Sequence, residues 1–194
     1  MSVNKKFSRI KPNEGCPPVK YTALNECCPP APLSLSLCDC CVSPMHSVLQ
    51  QLVGQTVLIA TIADPPNAQP LVFLFTITKV NDFLVTVTNG PTTYVVNISD
   101  IIGVGFLPTG PTINLLPPVN SGCECDCRER PMRQLLSTLI GSTVNLLVSN
   151  GSTATGFNVE QTGLGIVLGT LPIGLATDFR FAISTCKITA VQTN

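Results

Sequence analysis

Tryptophan is absent, histidine occurs once, at His46, and aromatic residues make up only 5% of the 194. Charge is also scarce: 11% of the residues are charged, where an ordinary globular protein has roughly 25%. Eleven basic residues balance eleven acidic ones, so the formal charge is zero. The chain therefore lacks both the net repulsion and the edge charges that keep β proteins apart in solution. With one histidine, a Ser-His or Cys-His dyad could use only His46, and nothing places a nucleophile near it. Carboxylates are few, and no pair stands out for acid and base work. The sequence thus predicts no enzyme activity, no catalytic residues, no cofactor and a surface position for His46.

Long apolar runs are missing too. No stretch approaches the ~20 residues that a membrane-spanning helix needs, so no membrane is expected as a partner. The basic start from Met1 to Phe7 runs into Pro12, Asn13, Glu14 and Gly15 instead of an apolar segment, so we expect synthesis in the cytoplasm without a signal peptide.

Cysteine, by contrast, is abundant: ten residues, a usage typical of oxidised extracellular scaffolds. Cytoplasmic synthesis and oxidised-type composition agree only if oxidation comes late. Cys16, Cys27, Cys28, Cys38, Cys40 and Cys41 precede the first apolar periodic segment, Cys123, Cys125 and Cys127 precede the second, and only Cys186 sits in an expected strand. Adjacent or alternating cysteines pair poorly with one another, because a disulfide needs a particular Cα separation and side-chain direction. The first nine are therefore candidates for cross-links to other segments or other subunits. A rival reading is a zinc or copper(I) site made from the thiolates and neighbouring Asp, although the spacing is Cys-x-Cys and not the Cys-x-x-Cys of zinc ribbons; we assign no metal ligand. Reduced thiols without a role are the third possibility.

The strongest signal is an internal repeat. Pro44-Met-His-Ser-Val-Leu-Gln-Gln-Leu-Val-Gly-Gln-Thr-Val57 matches Pro131-Met-Arg-Gln-Leu-Leu-Ser-Thr-Leu-Ile-Gly-Ser-Thr-Val144 without gaps, at an offset of 87. The same offset carries Cys38-Asp39-Cys40 onto Cys125-Asp126-Cys127. Each copy, about 65 residues, is near the lower size for an independent fold, so the copies are expected to support each other or a wider assembly.

Met45, Val48, Leu49, Leu52 and Val53 share one helical face, as do Met132, Leu135, Leu136, Leu139 and Ile140. Pro44 and Pro131 suit the first helical position, and Gly54 and Gly141 the left-handed residue that ends a helix. Five β-branched segments follow in each copy: Val57–Ile62, Leu71–Val80, Phe83–Thr88, Thr93–Ile98 and Ile101–Phe106, then Thr143–Val148, Thr153–Glu160, Leu164–Leu168, Phe179–Ile183 and Lys187–Val191. Turns are expected at Asp64–Asn67, Asn89–Pro91 and Asn150–Gly151. Five strands in so short a unit bury one side only by bending hard and closing, which predicts a small barrel in each copy. Gly163, Gly165 and Gly169 read as relief of crowding in a bent strand. The organisation is an extended Cys/Pro-rich arm at 1–42, a first barrel at 43–106, a stiff Pro/Cys-rich linker at 107–129 and a second barrel at 130–194.

A helix followed by Leu-(Ile/Val)-Gly-x-x-Val, a strand, a turn, a Gly-containing strand and a closing Ile pair resembles the Sm-like small barrel. The second copy carries it best, in Leu139-Ile-Gly-Ser-Thr-Val144, Asn150-Gly151, Ala154-Thr-Gly156, Ile183 and Ile188. The resemblance implies a mainly β fold of two tandem five-stranded Sm-like barrels, each preceded by a short helix, and assembly by pairing of outer strands. RNA-binding members carry Arg-Gly in the closing turn, where this chain has Ser99-Asp100 and Ser184-Thr185.

Charge also argues against RNA. Residues 44–106 hold one Lys against three Asp, a net of −2, and residues 131–194 hold three basic against two acidic residues, a net of +1. Neither half clusters the basic side chains that phosphates require. Low charge, Pro-rich segments and cysteine clusters together resemble spore coat and exosporium proteins of endospore-forming bacteria. That resemblance implies a structural subunit of a spore surface layer or appendage fibre, made in the mother-cell cytoplasm and cross-linked by intermolecular disulfides. Its partners would be copies of itself and other spore-surface proteins. The alternative is an Sm-type ring that binds RNA or a peptide.

Overall fold

The repeat in the sequence is a repeat in structure, nearly element for element. The computed structural model describes residues 38–63, 74–119, 123–173 and 178–193. The expected arm up to residue 37, with Cys16, Cys27 and Cys28, and the turn at Asp64–Asn67 lie outside the described residues. A π-helical turn, Cys38–Val42, leads into α1 (Ser43–Gln51). Five strands follow: β1 (Thr56–Thr61), β2 (Phe75–Asn81), β3 (Leu84–Asn89), β4 (Thr92–Asn97) and, after a 3₁₀ turn at Ile98–Asp100, β5 (Ile101–Phe106). The second half has α2 (Cys123–Thr138), β6 (Thr143–Val148), β7 (Thr153–Gly163), β8 (Ile166–Leu171), β9 (Phe179–Ser184), a 3₁₀ turn at Thr185–Lys187 and β10 (Ile188–Thr193). Strands β6, β9 and β10 lie 87 residues beyond β1, β4 and β5 at both ends.

The repeat reaches individual hydrogen bonds. The Gly54 N–H donates to the Ile77 carbonyl and the Gly141 N–H to the Val159 carbonyl, each at 2.8 Å, and both glycines have positive φ, as their role in ending a helix requires. In each half the ladder between the second and third strands slips by one residue, at Ile77/Lys79 and at Val159/Gln161. Such bulges bend and twist a strand, which lets five short strands wrap a core.

The expected closure into two barrels is not seen. All ten strands form one open antiparallel sheet, in the order β10-β6-β7-β8-β9-β5-β1-β2-β3-β4. Strand β5 pairs with β9 of the other half, so bending within each half does not have to end in closure. Two cores result, and they trade residues across this junction. Ile166, Leu168 and Ala182 of the second half pack into the core built on Met45, Leu49, Ile59, Ile77 and Phe106, while Leu58 and Ile102 of the first pack into that of Leu136, Leu146, Phe157 and Phe181. A fully buried Leu, Ile or Phe stabilises by about 1.5–3 kcal/mol, so this exchange binds the halves strongly.

The second helix also departs from expectation. It begins at Cys123, inside the stretch read as linker, and Pro131 stands within it instead of at its first position. Pro131 removes one intrahelical hydrogen bond. The extra turns are held instead by a disulfide at Cys125 and by Glu129. Part of the expected linker touches the second half, where the Leu116 carbonyl accepts from the Leu164 N–H at 2.9 Å, and part lies against the first half. Ile113 is buried in its core, and Gln51 and the Asn114 backbone exchange two hydrogen bonds, at 2.8 and 3.1 Å.

Candidate assembly edges and cysteine cluster

The junction between halves is a four-residue antiparallel ladder: Gly103 opposite Ile183, Val104 opposite Ala182, Gly105 opposite Phe181 and Phe106 opposite Arg180. Its fit depends on missing side chains. A Cβ on Gly103 would lie 3.1 Å from the Ala182 carbonyl, and one on Gly105 would meet the Phe181 ring. The Arg180 guanidinium sits 6.0 Å from the centre of the Phe106 ring and donates to Glu160 at 2.8 Å, which keeps the charge paired. Gly165, at φ +67° in the turn between β7 and β8, lies directly under the Cys40 carbonyl and Pro44 of the first half. The reading of Gly163 and Gly169 as relief of crowding also holds, since a Cβ on either would collide with Leu115 or Phe157.

At the two ends of the sheet stand β4 and β10, each with a single strand neighbour among the described residues. By the repeat, β4 corresponds to β9 and β10 to β5. The two ends are thus second copies of the two strands joined at the junction. Burial follows this relation. Phe181 and Ala182 of β9 are 3% and 0% exposed, whereas Tyr94 and Val95 of β4 are 50% and 62% exposed. Every residue of β5 is buried, whereas most of β10 is exposed. On the helices, Val48 of α1 is 1% exposed and its counterpart Leu135 of α2 is 46% exposed. Helix α1 touches β9 of the other half, while the matching residue of α2, Leu135, is exposed. Neither end strand carries a charged residue or a proline. Those are the usual devices that blunt an edge against pairing.

Four cysteines meet at the junction. Cys40 bonds Cys125 and Cys41 bonds Cys186, both within one chain, spanning 85 and 145 residues. The Sγ atoms of Cys40 and Cys41 are 3.8 Å apart, so the two bonds form one cluster, closed over by Leu164. Both bonds tie the π-helical turn of the first half to the second half. Cys40, Cys41 and Cys125, read as candidates for cross-links to other segments or other subunits, have partners in other segments of the same chain. Cys38, Cys123 and Cys127 lie in the same helical segments. Cys16, Cys27 and Cys28 lie outside the described residues.

Cys186 was not among the candidates. The signal for it lies in the repeat, because its counterpart is Ser99: a cysteine present in one copy alone serves something the copies do not share. Glu129 was also missed. It is fully buried, and its Oε1 accepts from Arg133 Nε at 2.8 Å and from the Gly165 N–H at 2.9 Å, which anchors α2 to the turn beneath Cys40. His46 is partly exposed and lies with its ring 5.4 Å from that of Phe83.

These features define a coarse class: a mainly β protein with one open ten-stranded antiparallel sheet and intrachain disulfides. No protein-family model, curated protein or solved structure matches the chain. No helix among the described residues is long and apolar enough to cross a membrane.

Proposed function

We propose that the chain is a structural, self-assembling subunit of a bacterial spore surface layer or appendage fibre, built on two Sm-like halves and hardened by disulfides between chains. One observation carries the self-assembly: the two open edges of the sheet are repeat copies of the two strands already paired at its centre. Strand β10 of one chain then adds to β4 of the next, as β5 adds to β9. The contact is head to tail, so each addition leaves a fresh β4 and a fresh β10 exposed, and growth continues until the ends meet or material runs out. Exposed Tyr94, Val95 and Leu135 supply the apolar surface, and the absence of edge charge removes the usual obstacle. The spore surface is a setting that suits abundant cysteine and low charge.

Negative-stain imaging of the purified full chain, with and without reductant, tests the reading. Filaments, sheets or rings are expected. A species that stays monomeric under both conditions refutes it. Salt-dependent retention on RNA would favour an Sm-type binding ring instead.

A further inference from the structure

Two Asn-Gly steps stand in turns of this chain, Asn89-Gly90 between β3 and β4 and Asn150-Gly151 between β6 and β7. In both, the glycine has positive φ, +58° and +83°, so the turn itself selects a residue without a Cβ. The same lack of a Cβ makes the step reactive, because nothing shields the glycine nitrogen from the side-chain amide before it.

The fold treats the two steps unequally. Asn150 Nδ2 donates to the Thr61 carbonyl of the first half at 3.1 Å, and Asn150 Oδ1 accepts from the Ser152 N–H at 3.0 Å. The Gly151 N–H donates to the Val148 carbonyl at 2.9 Å. Electrophile and nucleophile are both held. At the other step, neither the Asn89 side chain nor the Gly90 N–H makes a hydrogen bond to any described residue. Gly90 is exposed, and a Cβ there would meet nothing within 4 Å. Asn89 pairs with Thr92 on the last rung of the ladder before the turn, so opening that rung frees its backbone to rotate.

We infer that Asn89 is a self-modification site, which the folded chain converts to aspartate and isoaspartate while Asn150 is protected. Hydroxide takes the Gly90 amide proton, and the nitrogen attacks Asn89 Cγ. The bond from Cγ to the side-chain nitrogen breaks, and that nitrogen leaves as ammonia with a proton from water. Water then adds to one carbonyl of the cyclic imide and breaks its bond to the Gly90 nitrogen. Cleavage at Cγ gives aspartate, and cleavage at the main-chain carbonyl gives isoaspartate, with the backbone rerouted through Cβ and Cγ. Water is the only co-reactant, and ammonia is the only product released. Either outcome puts a first charge on the β3–β4 hairpin, since neither strand carries one. On the head-to-tail reading above, such a charge blunts the β4 edge, so aged chains join a neighbour less readily.

Full-length protein held in mildly alkaline buffer, sampled over time and mapped by peptide mass spectrometry with fragment-ion assignment, tests the site. The mass gain of an amide turned to an acid should accrue at Asn89 at least about tenfold faster than at Asn150, a factor that the hydrogen bonds at Asn150 supply. After reduction and unfolding in urea, the two steps should react at similar rates. Equal rates in the folded chain overturn the inference, as does an Asn89 that reacts in urea but keeps its amide when folded. Asn89→Asp should form fewer large species than wild type in sedimentation velocity at equal concentration. Equal assembly of the two overturns the effect on the edge. A wild type that never assembles overturns the head-to-tail reading, and the mass map still decides the modification.

Discussion

The central junction and the two ends of the sheet are built from equivalent strands, yet they are finished differently. At the junction, Gly103, Gly105 and Gly165 clear space for Ile183, Phe181 and the Cys40 carbonyl. At the ends, the corresponding positions are Ala190, Gln192 and Phe83. Two disulfides cross the junction. Only the junction is fitted closely, because its ladder relies on glycines that the ends lack. The difference teaches how a duplicated chain avoids pairing its halves wrongly: close fit is reserved for the partner within the chain, and the copies at the ends lack it.

The sharpest way to break this contrast is one substitution made at both equivalent sites. Ala182→Asp places an unpaired carboxylate in a fully buried position of the junction, and should cost more than about 4 kcal/mol. Little folded protein should be recovered, as judged by far-UV circular dichroism and thermal melting. Removing the Cys40–Cys125 bond, by Cys40→Ser, should cost about 4–5 kcal/mol on loop-entropy grounds, and a denaturant titration would read this as a lower midpoint. Gly165→Ala puts a side chain against the Cys40 carbonyl at a left-handed position, for a loss of about 2–4 kcal/mol in the same titration. The mirror of the first change, Val95→Asp on β4, should move unfolding by no more than about 0.5 kcal/mol while abolishing assembly. Sedimentation velocity beside a melt separates the two readouts, and a Val95→Asp chain that assembles normally would show that β4 is not a contact.

Much of each half was legible beforehand. The apolar spacing from Met45 to Val53 located α1, and runs such as Thr143–Val148 matched a strand at both ends, because turns of Gly, Asn and Pro mark their limits. The repeat made the second half readable from the first. What stayed hidden was how the halves meet. Val104 and Ala182 are opposite each other across the sheet but far apart in sequence, and a β-strand edge carries no local mark of its partner. The expected closure of each half is not seen for the same reason, since strands that can close on themselves can also pair with a copy. Pro131 misled as well: a proline reads as a helix start unless something distant, here Cys40 and Gly165, holds the turns before it. For the candidate site, the partner of Cys41 lay 145 residues away, in a turn whose repeat copy has serine.

The Cys41–Cys186 bond, which has no counterpart at Arg128 and Ser99, sets an order of events when a polymer of such chains meets a reductant. In the assembly proposed above, the equivalent contact between subunits would lack this bond, while each subunit keeps its doubly stitched, apolar-sealed middle. A layer of the proposed kind would come apart into intact bricks before any brick crumbles.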